Sequence, residues 1–428
     1  MNSANTSVTE RVSVSDKANR VLSIAGCLLV QMCVGIIYLW SVFKTAVAES
    51  YGCGVESLSM VSSIMLSAFV IGSFLGGISN DKKGPRVTCF LGVILFSLGI
   101  GATALLTEGT ISLINFTYSI LGGVGSGLAY SACISCIQKW LPDRRGLATG
   151  LAVGAFGLST VVFTPVSRGM MSVCTENGLV NFHQVFGILA LVFLGLGLFG
   201  CCMIRDPQVE TQTAKAKTSE VDIPLGKAVT TLPFWCIFFT VFFINGTWNL
   251  TVPVLYDLGI ERGLSATAAT FAVSFTGVAN TAGRLFMATL SDKMGRRQCL
   301  CLLSVLTAAG ALLMIVAGGY AYIAVVAIIA FAYGGPSSIN AAMTTDYFGS
   351  KNSGTNYGVI MLALGLSSLF FNILSSTVLN GNVGLSFVTA AVSAVVPLVL
   401  MKVIGNPPAT VADADQMMKR RKPLTHSV

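Results

Sequence analysis

Arg284 is the residue of this chain best placed to do chemistry, because it sits inside an apolar run near 266–289 where a charge is hardest to keep. An arginine near the centre of a membrane helix costs roughly 2.5–3.5 kcal/mol, so it must face a polar cavity and meet a counter-charge. The acidic residues do not supply one. Glu49, Glu108, Asp257 and Glu261 gather toward one set of run ends, and Asp81, Asp143, Asp292 and Asp346 toward the other. The missing partner is then a soluble anion, and a guanidinium fork suits a planar carboxylate because two parallel hydrogen bonds can form. Asn280, one helical turn earlier, cannot titrate but can orient the guanidinium by hydrogen bonding. Snorkelling of Arg284 to an interface is the competing reading.

Other chemistry finds little support. No apolar run carries a nucleophile with a base or an HExxH pattern, so catalysis is not expected. Ten of the twelve cysteines lie in or beside apolar runs, where thiols pack as small apolar groups. The Cys133/Cys136 pair has CxxC spacing, but within an apolar helix it reads as packing, and no metal or cofactor is expected. The net charge of +8 is spread in short clusters between apolar runs rather than on one face, which argues against nucleic acid.

The elements that must position Arg284 follow from composition. Of 428 residues, 54% are hydrophobic and 10% charged, against about a quarter charged in soluble domains. Hydrocarbon is therefore the main solvent. Runs near 21–46, 58–79, 87–107, 112–137, 146–170, 183–204, 231–256, 266–289, 298–317, 320–345, 354–379 and 383–404 are long enough to cross a bilayer. In lipid the backbone must bond to itself, so these are helices. The expected fold is an all-α membrane protein of twelve transmembrane helices, with bundles at 21–204 and 231–404. A linker at 205–230 joins them, and tails span 1–20 and 405–428. The first helix is expected to serve as its own insertion signal. Of 26 basic residues only Lys44, Arg168, Arg262 and Arg284 fall outside one alternate set of loops and tails. That bias puts both termini in the cytoplasm of a multi-pass plasma-membrane protein, or an inner-membrane one if bacterial. The "MMKRRKPLTHSV" tail reads as a solvated inside-positive segment, with anionic lipid as its alternative partner.

An internal repeat marks the two halves. "GISNDKKGPR" (77–86) after the second run recurs as "ATLSDKMGRR" (288–297) after the eighth. The shared positions are Gly77, Asp81, Lys82, Gly84 and Arg86 in one copy, and Ala288, Asp292, Lys293, Gly295 and Arg296 in the other. Two six-helix units in the same orientation suit a rocking-bundle transporter. The repeated loop resembles the signature of the major facilitator superfamily. The resemblance implies that these aspartates and basic residues form a cytoplasmic network joining the bundles in the outward-open state. Helix-end aspartates can exchange basic and helix-dipole partners as bundles rock.

Four stretches narrow the resemblance to the oxalate/formate antiporter family and the related monocarboxylate porters: "GIIYLWSVF", "KWLPDRRGLATG", "GRLFMATLSDKMGRR" and "DYFGSKNSGTNYGVI". It implies that Arg284 is the substrate-carboxylate ligand. It also implies that Tyr38, Tyr130 and Tyr333 line the pocket, while Phe156 and Ser337 stand where the family's cage has tyrosine-type residues. The chain departs from the oxalate-type pattern at Leu364, where a lysine is usual, and at Met361, where an aromatic is usual. One fixed cation balances one carboxylate, so a pyruvate, lactate or formate type of monocarboxylate is favoured over oxalate. Lys44 is a possible second cation whose register does not match, with snorkelling as its competing reading. The expected function is secondary active transport of small organic anions by a monomer, with proton symport, uniport and exchange left open. An oxalate/formate-type exchanger is the alternative within this class, and a transporter-like carboxylate sensor the one outside it.

Overall fold

The computed structural model describes residues 14–58, 60–176, 178–206, 222–251, 254–379 and 382–419. Lys215, Lys217 and the Arg420–Lys422 basic run lie outside them. Twelve long helical rods run through the described residues. The first, α1, continues from Val14–Val34 through a 3-10 turn at Gly35–Leu39 into Trp40–Ser50. Then come α2 (Met60–Lys83), α3 (Pro85–Thr103), and α4, which opens with 3-10 and π turns from Glu108 before Gly122–Trp140. Next are α5 (Arg145–Val173) and α6 (Phe182–Met203). The second half holds α7 (Leu232–Thr251), α8 (Ala266–Met294), α9 (Arg296–Leu313), α10 (Gly319–Phe348), α11 (Ser353–Ile373, extended by a π turn) and α12 (Val383–Val403).

Eleven helical spans among the described residues are long and apolar enough to cross a bilayer. The rod left out is α8, which is 29 residues long but carries Asn280, Arg284, Asp292 and Lys293. The helix that is least at home in lipid is thus the one the sequence singles out for chemistry. Pro336 lies inside α10, yet the helix stays continuous across it.

Small residues set the spacing of the first bundle. In the "LGGVGSG" stretch of α4, side chains at Gly123 and Gly127 would run into the α2 backbone, and one at Gly125 into the α3 backbone at Phe96. Close backbone approach of this kind replaces the hydrophobic drive that helices lack inside lipid. Gly84 and Gly295, equivalent in the repeat, turn the chain from α2 to α3 and from α8 to α9 at φ of 81° and 95°. L residues rarely adopt that conformation, which is why both copies keep glycine there.

Between the bundles the principal seams are α2 against α11 and α5 against α8. Because α2 and α8 are equivalent in the repeat, the two seams are counterparts under a pseudo-two-fold relation. A Gly127→Val substitution should lower the thermal unfolding midpoint in detergent by an overpacking cost of about 1–3 kcal/mol. Gly195→Val, at a position with nothing within 4 Å of the added carbon, should leave it unchanged. Equal losses in both variants would contradict the close approach.

Candidate functional site

A cavity lies between the bundles at the level of Arg284. It offers about 60 Å3 to the centres of water-sized spheres, where a single water needs about 10–15 Å3. A few waters or one small carboxylate fill such a space. The first bundle contributes an apolar and aromatic wall: Leu66, Phe69, Tyr130, Val153 and Phe156. Three of its rings pack together, with Tyr130 edge-on to Phe69 and to Phe156 at 5.0 Å between centroids in both cases. The second bundle contributes the charged group and most of the polar ones, including Arg284, Asn245, Tyr333, Ser337, Asn340 and Tyr357.

Arg284 is 8% exposed. Its Nη1 donates to the carbonyl oxygen of Val153 on α5 at 3.1 Å, while its Nε is buried with no partner. A guanidinium has five N–H donors, so most of its capacity is unused among the described residues. No carboxylate there pairs with it, and none lines the cavity. The contrast with Arg262 is informative, because Arg262 places both terminal nitrogens on the carbonyls of Ile315 and Ala317 at the end of α9. α5 presents Gly157 beside the Arg284 guanidinium: an added carbon there would sit 3.0 Å from Thr281 Oγ1 and 3.3 Å from Arg284 Nη1.

Of the residues expected from sequence, Tyr130, Phe156, Tyr333 and Ser337 line this cavity with Arg284, as do the departure positions Met361 and Leu364. The Tyr38 side chain lies outside the described residues. Asn280 is 9% exposed and packs its backbone against Gly334 of α10. It makes no hydrogen bond to Arg284 among the described residues, so the expected orienting bond is replaced by the one to Val153. Lys44 does not line the cavity.

Sequence reasoning missed four groups. Asn245 accepts from the Tyr333 hydroxyl at 2.9 Å and donates to the Leu364 carbonyl at 3.1 Å, tying α7, α10 and α11 together. Trp248 stacks on Tyr333 at 4.5 Å and 5° between planes. Asn340 is buried in the wall, and Tyr357 donates to the Ser337 carbonyl at 3.2 Å. Tyr357 belongs to the "NYG" stretch, so a signal for it existed; uncharged Asn245, Trp248 and Asn340 carried none.

The repeated loops lie at the end of the bundles where the basic residues gather. Asp292 Oδ1 and Oδ2 accept from the backbone nitrogens of Gly146 and Leu147, both at 2.8 Å, at the start of α5. Asp81 Oδ2 accepts from the backbone nitrogen and hydroxyl of Thr355 at 2.8 and 2.7 Å, at the start of α11. Each aspartate thus satisfies orphan N–H groups of a helix in the opposite bundle and faces the positive end of its dipole. The copies differ in their basic partners. Arg296 bridges Asp292 at 2.6 Å and Asp346 at 3.0 Å, and Asp346 also holds Arg145 at 3.1 Å. Arg86 instead rests over Phe90, and Lys82 and Lys293 form no ion pair among the described residues. Gly77 meets the Gly354 backbone, and Ala288 the Gly146 position, at the matching seams.

The Major Facilitator Superfamily model matches residues 24–372 and 237–426. The chain is 27% identical over 351 residues to the oxalate:formate antiporter of Oxalobacter formigenes, covering 80% of this chain and 81% of that one. It is 25% identical over 467 aligned positions to apicoplast pyruvate carrier 1 of Toxoplasma gondii, covering 86% and 85%. Among solved structures, the proton:xylose symporter XylE aligns with a TM-score of 0.71 at 16% identity, covering 94% of this chain and 99% of that one. That likeness concerns the fold alone.

Asp292→Ala leaves the Gly146 and Leu147 amides without their acceptor. Loss of a helix cap costs about 0.5–2 kcal/mol, so amide exchange in the first turn of α5 should quicken by about two- to thirtyfold. Hydrogen-exchange mass spectrometry reads this directly, and unchanged protection would show that the contact contributes nothing.

Proposed function

The chain belongs to the major facilitator superfamily, and from that premise we propose that it carries small monocarboxylates across the membrane by alternating access, with Arg284 as the ligand of the carboxylate. The observation that carries this reading is a buried guanidinium that no carboxylate among the described residues pairs with, facing a cavity of carboxylate size. Insertion of such a group is costly unless an anion compensates it. A carboxylate can accept from Nε and a terminal nitrogen at once, while the aromatic wall of the opposite bundle covers the apolar remainder of a small acid.

The likeness to an oxalate:formate antiporter and to a pyruvate carrier supports an anionic cargo. Leu364 and Met361 in the cavity wall argue against a dicarboxylate, whose second charge would rest on apolar side chains. No Asp or Glu lines the cavity among the described residues. That favours exchange of anions, or a proton travelling on the substrate, over a side-chain proton carrier. Arg284, Tyr130, Tyr333, Ser337 and Phe156 form the binding cage in this reading, joined by Asn245, Asn340 and Tyr357. Asp81 and Asp292, with their loops, release and recapture the helix starts of the opposite bundle as the bundles rock. The basic loop end is cytoplasmic by the positive-inside rule, and the bonds gathered there give a state closed to the cytoplasm.

Counterflow in proteoliposomes with labelled pyruvate, lactate, formate and oxalate tests the cargo. Removing one partner of a buried charged pair costs about 3–5 kcal/mol, so Arg284→Ala should slow monocarboxylate counterflow at least a hundredfold. Normal counterflow of all four acids by that variant would remove Arg284 from the site. A second cation at the departure position supplies an independent check: Leu364→Lys should raise oxalate counterflow relative to formate. Faster oxalate than formate in the unmodified protein would refute the monocarboxylate preference.

A further inference from the structure

A second, larger pocket lies outside the inter-bundle cavity, at the basic end of the first bundle. It measures about 310 Å3 and is formed where the ends of α1, α4 and α6 meet the turn into α3. Lys83, Arg86 and Arg205 bring three positive charges to its lining, with Asn19, Trp140 and Asp206 beside them. The carboxylate does not neutralise them, because Asp206 is held by Lys139 at 3.2 Å. Arg205 is steered by the Asn19 side chain at 3.1 Å, and the Trp140 indole donates to the Arg205 carbonyl at 2.9 Å. α3 starts after Gly84 with no side-chain cap, so the positive end of a 19-residue helix borders the pocket, and Asp206 Oδ2 lies 3.2 Å from where a Gly84 β-carbon would stand.

Exposed apolar side chains flank the pocket on the helices that form it. Val87 and Leu91, one turn apart on α3, are each 45% exposed, and Val21 and Leu22 on α1 are exposed just beyond Asn19. A ligand that joins a negative phosphate to apolar chains matches both surfaces. Tryptophan at that depth is the side chain expected at a headgroup boundary, and basic pockets between helix ends on this side recognise anionic headgroups. A zwitterionic headgroup would bring an ammonium that finds only the carboxylate already held by Lys139.

We propose that this pocket binds the phosphate of an anionic phospholipid whose acyl chains lie along the exposed faces of α1 and α3. The site is separate from the cavity and does not depend on the identity of the transported anion.

Native mass spectrometry of the full chain in detergent tests it with three probes: phosphatidylglycerol, phosphatidylcholine of the same chains, and inorganic phosphate. Each basic group near a surface favours an anionic lipid by several-fold. The unmodified protein should therefore retain phosphatidylglycerol at about tenfold lower concentration than phosphatidylcholine. Lys83→Gln/Arg205→Gln should abolish that preference, and Lys227→Gln/Lys402→Gln, which removes as much charge elsewhere, should keep it. Lys83→Gln alone removes no hydrogen bond among the described residues, and a several-fold loss of retention with an unchanged thermal midpoint in that variant separates lipid binding from misfolding. Equal retention of the two lipids by the unmodified protein, or of phosphatidylglycerol by the double variant, would overturn the proposal. Displacement of phosphatidylglycerol by millimolar inorganic phosphate would reassign the pocket to a soluble anion and overturn the lipid.

Discussion

A cation held out of water must be compensated, and in this protein the compensation at Arg284 comes mainly from dipoles. Among the described residues one carbonyl, that of Val153, accepts from it, and its Nε has no partner. Isolated charges in a low-dielectric interior are costly enough that such an arrangement survives only where a counter-charge can arrive. Much of the surrounding architecture answers to that constraint. Side chains of both bundles line the cavity around the guanidinium. α5 presents Gly157 against the guanidinium, and the polar residues Asn280, Thr281, Arg284 and Ser291 of α8 are buried among neighbouring helices.

The cavity and the basic end are joined through single helices. On α8, Arg284 and Asp292 are eight residues apart, about 12 Å of helix rise, and both bind α5: one at Val153, the other at the helix start. On α11, Thr355 holds Asp81, while Tyr357, Met361 and Leu364 farther along the helix line the cavity. Under the transport reading, an anion that competes with the Val153 carbonyl for the guanidinium loosens the same seam that Asp292 closes. The two copies of the loop are not equal, however. The second carries a chain of ion pairs through Arg296, Asp346 and Arg145, and the first relies on hydrogen bonds to Thr355. Of these ion pairs only Arg145–Asp346 crosses between the bundles, at the start of the helix that also meets Arg284.

The helices were legible because crossing hydrocarbon demands long apolar runs, and Arg284 because a charge inside such a run has few tolerable explanations. The repeat aspartates were legible for a related reason: two copies of one polar turn at matching positions are hard to produce by packing alone. Asn245, Trp248 and Asn340 were not. In a membrane helix the lipid face and the packed face are both apolar, so periodicity does not point toward the cavity, and an uncharged amide or an indole gives no energetic alarm. Asn280 shows the opposite failure. Its place one turn from Arg284 suggested a hydrogen bond, but the guanidinium reaches across the seam to Val153 instead, a contact between helices that no local spacing encodes.

The most direct test of the unpaired guanidinium is a structure determined with saturating pyruvate. The account predicts carboxylate density between Arg284 and Tyr357, with oxygens within about 3 Å of Nε and a terminal nitrogen. Pyruvate bound elsewhere, with an aspartate or glutamate side chain resting on Arg284, would contradict it.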